Sequence, residues 1–134
     1  MPLVRISLPR QLVPEEKTAI SRAVHKSLME TFNVPEFDYF HVIEELETSQ
    51  LFYPESYLGI DHTQKIIFIQ IIAASGRSTE QKQKLYAQIA AYVSADSSVK
   101  KEDIIITLIE NGGKENWSFG EGKIQNLTHV NMKG

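Results

Sequence analysis

Apolar and polar positions alternate over residues 3–8, where Val4, Ile6 and Leu8 are set against Arg5 and Ser7, and this predicts a β-strand. The period then changes. Ile20, Val24, Leu28 and Phe32 recur along one stripe with Ala23 beside them, predicting a helix from Pro14 to about Phe32. Pro14 suits the first helical position, Glu15 and Glu16 suit the positive end of the helix dipole, and Asn33-Val34-Pro35 ends the element. Phe40 to Leu46 reads as a second strand. Residues 47–64 carry Pro54, Gly59 and several turn formers, so an irregular excursion or a short hairpin is expected there. Lys65 to Ala73 is a strand apolar on both faces, which requires cover on both. Ser78-Thr79-Glu80-Gln81 is a capping box, and the helix behind it presents Leu85, Ile89, Tyr92 and Val93 on one face, with Glu80 and Lys84 paired on another. Ile104 to Ile109 is a further strand, and residues 111–134 form a polar, glycine-rich tail.

The order is strand–helix–strand, repeated. Each crossover helix implies a parallel, right-handed connection. The predicted fold is therefore α+β (α/β): two β-α-β units forming a four-stranded sheet with both helices on one face, in a single domain over residues 1–134. The second sheet face has no cover within one chain, so self-association into a homo-oligomer is expected.

Composition narrows the function classes. A net charge of −3 and a pI near 5.8 argue against nucleic acid as the main partner. The absence of cysteine removes disulfides, thiolate metal sites and cysteine nucleophiles. The longest apolar run, Ile66 to Ala74, is interrupted by Gln70 and is too short to span a bilayer, so a soluble cytoplasmic protein without a membrane partner is expected. The four histidines, His25, His41, His62 and His129, show no metal-ligand spacing, and no metal is expected. His41 shares a strand with Glu44 and Glu45 and is a candidate to face an inner barrel. Tyr53 and Tyr57 are candidates to cover a pocket.

The chemistry-bearing feature is at the head of the chain, Met1-Pro2-Leu3. A methionine before so small a residue is normally trimmed, which leaves Pro2 with a free secondary amine at the start of a strand. That group is a base and a nucleophile and needs no cofactor. It titrates near neutrality, and an apolar wall lowers its pKa further. A chain that keeps Met1 has an amide there instead. Arg77 follows a buried strand and opens the loop at its carboxyl end, just before a helix amino terminus, where a guanidinium can grip a carboxylate.

With these features in place, the chain resembles the tautomerase superfamily, and within it malonate semialdehyde decarboxylase and its relatives. The likeness spans nearly the whole chain. It is sharpest at Pro2-Leu3, Val34-Pro35-Glu36-Phe37-Asp38, Arg77-Ser78-Thr79-Glu80-Gln81-Lys82, Glu110-Asn111 and Asn116-Trp117-Ser118-Phe119-Gly120-Glu121-Gly122. The resemblance implies a homotrimer whose inner faces line a barrel. It implies that Pro2 is the acid–base group, that Asp38 assists the proline or activates water, and that Trp117 and Phe119 wall an apolar pocket. Two departures stand out. The family's decarboxylases carry two arginines in the loop, and here Ser75 replaces the first. Asn126 stands where an aromatic residue is expected.

The reading that follows is a cofactor-independent tautomerase, a keto–enol isomerase of small 2-oxo acids such as phenylpyruvate enol. Pro2 moves the proton, Arg77 holds the substrate carboxylate, and Trp117 with Phe119 excludes water. One alternative is a malonate semialdehyde-type decarboxylase, in which Lys65 or another subunit replaces the missing arginine. A further alternative is a non-catalytic trimeric binding module.

Overall fold

The protein is described by a computed structural model whose described residues are 2–126. Strand β1 (Leu3–Pro9) leads into helix α1 (Pro14–Phe32) and strand β2 (Phe40–Leu46). A two-stranded hairpin, β3 (Ser56–Tyr57) and β4 (Ile60–Asp61), fills the middle excursion. Strand β5 (Ile67–Ala73), helix α2 (Thr79–Asp96) and strand β6 (Ile104–Glu110) repeat the pattern. The main sheet has the order β2-β1-β5-β6. Each half is parallel within itself, β1 to β2 and β5 to β6, and the halves meet antiparallel along β1 and β5.

Local chemistry sets the helix ends. Pro14 is the first residue of α1, and the Glu16 carboxylate accepts the Val13 amide at 3.2 Å and the Ser98 amide at 2.6 Å. Asn33 closes α1 in the left-handed region at φ 56°. At α2 the predicted capping box is present: the Gln81 amide donates to Ser78 Oγ at 3.1 Å, and the Ser78 amide donates to Gln81 Oε1 at 3.0 Å. Lys84 and Glu80 pair at 3.2 Å.

Both helices lie on one face. Val4, Ile6 and Leu8 of β1 and Ile67, Ile69, Ile71 and Ala73 of β5 form one buried cluster with Ile20, Val24, Leu28 and Phe32 of α1 and Leu85, Ile89 and Val93 of α2. Within one chain the two faces of the strand ending at Ala73 are covered unequally. Phe68, Gln70 and Ile72 are only half-buried on the far side. That far side is graded along the strands. The cross-strand row Phe40, Leu3, Ile72, Ile109 is apolar. The next row, Val42, Arg5, Gln70, Thr107, is mostly polar, and the third holds Glu44, Ser7, Phe68 and Ile105. Glu44 accepts from Ser7 Oγ at 3.1 Å and pairs with Arg5 at 3.5 Å, so this end of the far face carries charge.

Candidate active site

Because β1 and β2 run one way and β5 and β6 the other, one end of the sheet gathers two strand heads and two strand tails. Pro2 precedes Leu3, which pairs with Phe40 on one side and Ile72 on the other. It therefore lies at the level of Ala73, and Ala73 is in turn paired with Glu110. Pro2 is buried. Asp38 is at the head of β2, 6% exposed, in a turn held by its own amide donating to the Pro35 carbonyl at 3.1 Å. Arg77 lies in the loop that leaves β5 and is 8% exposed.

The tail supplies the wall. The Trp117 Nε1–H donates to the Asn111 carbonyl at 3.5 Å, beside the end of β6. The Trp117 and Phe119 rings stack with centroids 5.3 Å apart and planes within 5°. Phe119 then meets Phe40 of β2 at 5.6 Å. Since β6 and β2 are the two outer strands, the aromatic run crosses the sheet end past the head of β1. All five predicted residues, Pro2, Asp38, Arg77, Trp117 and Phe119, are thus at the same end of the sheet. Asn126 is exposed. His129 lies outside the described residues.

Arg77 has a structural task that its sequence position did not disclose. Its Nη1 donates to the Ala74 carbonyl at 2.9 Å and its Nη2 to the Phe32 carbonyl at 3.2 Å, while the guanidinium carbon lies 4.7 Å above the Phe32 ring. Phe32 is the last residue of α1, so the arginine satisfies an orphan helix carbonyl and places positive charge at the negative end of the dipole. Gln81 Nε2 does the same for the Thr31 carbonyl at 3.2 Å. Burial lowers the arginine's pKa and Glu110 opposes that shift. A substrate carboxylate would meet the remaining N–H hydrogens of Arg77 and not a vacant fork.

Two residues that the motifs include, but to which the sequence assigned no role, complete this loop. Lys82, in the first turns of α2, reaches Glu110 at 2.9 Å. The pKa of Glu110 is lowered, chiefly by Lys82, with the Gly76 amide and Arg77 contributing in the same direction. Their pairing depends on the parallel register of β5 and β6, which brings the end of β6 alongside the loop after β5. Lys65, offered as a replacement cation, precedes β5 and is at the opposite end of the sheet.

A second cluster also formed without a sequence signal. His41 pairs in register with buried Val4, so it faces α1 and not the far side of the sheet, contrary to expectation. Ser21 Oγ and His41 Nδ1 are 2.9 Å apart, His25 Nε2–H donates to the Glu36 carbonyl at 2.7 Å, and the two imidazole centroids are 6.1 Å apart. These groups, with Tyr39, Arg22, Lys26 and Met29, line a groove of about 510 Å³ between α1 and β2. Burial, reinforced by His25, lowers the His41 pKa from 6.5 to about 4. Among the described residues no three His, Asp or Glu side chains cluster as a metal site would require. Nor is any described helix long and apolar enough to cross a membrane. Tyr53 hydrogen-bonds to the Thr63 carbonyl at 2.9 Å within the middle excursion, and Tyr57 is 62% exposed on the hairpin.

Comparison with known proteins places these features. Two family models, each described as tautomerase enzyme, match residues 38–120 and residues 2–56. A probable tautomerase of Bacillus subtilis (strain 168), YusQ, is 41% identical over 125 residues, which is 93% of this chain and 98% of that protein. Among solved structures, the FG41 malonate semialdehyde decarboxylase inhibited by 3-bromopropiolate superposes with a TM-score of 0.86 at 30% identity, covering 95% of each chain. A fused 4-OT wild-type symmetric trimer shares the fold at a TM-score of 0.74 and 17% identity, over 91% of this chain and 94% of that one.

Proposed function

The chain belongs to the tautomerase family of enzymes, and from that premise we propose that it is a cofactor-independent keto–enol isomerase of small 2-oxo acids, phenylpyruvate enol among them. The observation that carries this reading is the position of Pro2: buried at the sheet end, with Asp38 and Arg77 on flanking elements and an aromatic run passing across. Freed of Met1, Pro2 offers a secondary amine whose charged form is disfavoured by that dry surrounding. As a neutral base the amine takes the enol hydroxyl proton, and the ammonium so formed returns it to the adjacent carbon; in the reverse direction the amine removes the carbon-bound proton and returns it to oxygen. Asp38 orients the amine or a water. Arg77 contributes a fixed positive field toward the substrate carboxylate, and Trp117 with Phe119 excludes bulk water from the developing enolate.

A homotrimer is part of the proposal. The far face of the sheet carries an apolar row next to the site, and the fused 4-OT structure is a trimer of the same fold. Light scattering on the purified protein gives the mass directly. A second reading, decarboxylation of a 3-oxo acid such as malonate semialdehyde, draws on the likeness to the FG41 enzyme. Ser75 in place of the first arginine counts against it.

The test begins with intact mass, which reports whether Met1 is removed. Enol-to-keto conversion of phenylpyruvate and breakdown of malonate semialdehyde are then compared for wild type and Pro2→Ala. The expected result is phenylpyruvate tautomerisation that falls at least about a hundredfold in Pro2→Ala with an unchanged circular dichroism spectrum. Equal activity in the two proteins would overturn the role of the amine.

A further inference from the structure

The loop after β5 has the makings of an anion seat: the Gly76 amide, the adjacent amino terminus of α2, Arg77, and Lys82 one turn into the helix. Gly76 sits at φ 112°, a region that only glycine enters without strain. A carboxylate already occupies this seat, and it is the chain's own. Glu110 Oε1 accepts from Lys82 Nζ at 2.9 Å, and the Gly76 amide and Arg77 act on the same carboxylate in the same direction.

We propose that Glu110 is a specificity-determining residue, an internal occupant of the anion seat that sets how strongly the site takes carboxylate substrates. The inference rests on the proposed isomerase reading and deepens it. Of the charges gathered at the loop, Arg77 and Lys82 are positive and Glu110 is negative. Arg77 has its two terminal nitrogens committed to the carbonyls of Ala74 and Phe32. Lys82 is committed to Glu110. An arriving carboxylate therefore competes with Glu110 for Lys82, and is repelled by it. Glu110 is placed to matter because it is paired with Ala73, at the level where Pro2 heads β1. It remains about two-fifths open to solvent, with side-chain exposure of 38%, so a soluble ligand reaches the same ground. Neutralising Glu110 leaves Arg77 and Lys82 without the carboxylate beside them, the arrangement a 2-oxo acid needs. A site with its seat filled discriminates less between an acid and a neutral enol of the same shape.

The experiment compares phenylpyruvate enol with its uncharged methyl ester in wild type, Glu110→Gln and Lys82→Gln. In parallel, binding of unreactive 3-phenylpropionate is followed by fluorescence of Trp117, the sole tryptophan. Glu110→Gln is expected to lower KM for the acid and the Kd of 3-phenylpropionate about tenfold, the effect of one unit charge removed at short range in a half-solvated site, with the ester unchanged. Lys82→Gln is expected to move both constants the other way. Thermal denaturation checks that each variant is folded. If Glu110→Gln does not fold, Lys82→Gln still decides, because unchanged acid affinity there removes the seat. Acid and ester shifting together, or neither shifting, overturns the proposal. If no variant tautomerises phenylpyruvate but Glu110→Gln still binds 3-phenylpropionate more tightly, the isomerase reading fails and the seat stands. If tautomerisation depends on Pro2 and is indifferent to Glu110, the reverse holds.

Discussion

Part of this protein's acid sensitivity should come from one imidazole. His41 lies between β2 and α1, bonded through Nδ1 to Ser21 Oγ and flanked by His25 and Tyr39, with Arg22, Lys26 and Glu36 also lining the groove. Burial, with a smaller contribution from His25, lowers its pKa from 6.5 to about 4. Between those values the unfolded chain binds more protons than the folded one, so stability falls as pH drops from about 6.5 and the loss levels off below about 4. The displacement corresponds to about 3.4 kcal/mol at most. The groove is open to water at its mouth, and screening there leaves about 1.5–2 kcal/mol. Carboxylates such as Glu16 and Glu45, whose pKa values are lowered by their partners, add their own acid sensitivity, so a difference measurement is needed. Urea denaturation of wild type and His41→Gln at intervals from pH 7.5 to pH 4 provides it. The wild type should lose about 1.5–2 kcal/mol more than the variant over that range. Parallel curves would show that His41 takes up its proton as easily folded as unfolded, and the burial argument would be wrong.

Two further outcomes follow from side chains that join distant segments. Arg77→Lys keeps the charge but cannot donate to both the Ala74 and Phe32 carbonyls; it should cost about 1.5–3 kcal/mol in chemical denaturation, and a wild-type midpoint would deny the cap role. Asp103, 1% exposed, accepts the Thr63 amide at 2.8 Å and the Thr63 hydroxyl, tying the end of the middle excursion to the start of β6. Asp103→Ala should cost about 2 kcal/mol and make residues 47–64 the first site of limited proteolysis, whereas first cleavage elsewhere would contradict that tie.

The two β-α-β units were legible because their signals are local. A stripe such as Ile20, Val24, Leu28 and Phe32 has one helical solution, and Val4, Ile6 and Leu8 have one strand solution. The capping box at Ser78 and the stop at Asn33 depend on side chains reaching only three or four residues along the chain. Pro2, Asp38, Arg77, Trp117 and Phe119 were legible as site candidates through their order and spacing in a recognisable family pattern. What each side chain touches was not. Arg77 pointing back to the end of α1, and Glu110 filling the loop beside it, are contacts between residues 45 and 28 positions apart, and nothing periodic announces them.

The amino-acid order by itself determined the succession of helices and strands, and that a proline would head the first strand, because those properties are settled by neighbours within a few bonds or one helical turn. Only the tertiary structure decided that the halves join antiparallel along β1 and β5, which brings the head of β1 and the tails of β5 and β6 to one end. It likewise decided that His41 turns toward α1 and that the far face is graded from apolar to charged. Pairing register and strand direction arise from the packing of the whole sheet, and a change of one residue in either would send a different set of side chains to the same place.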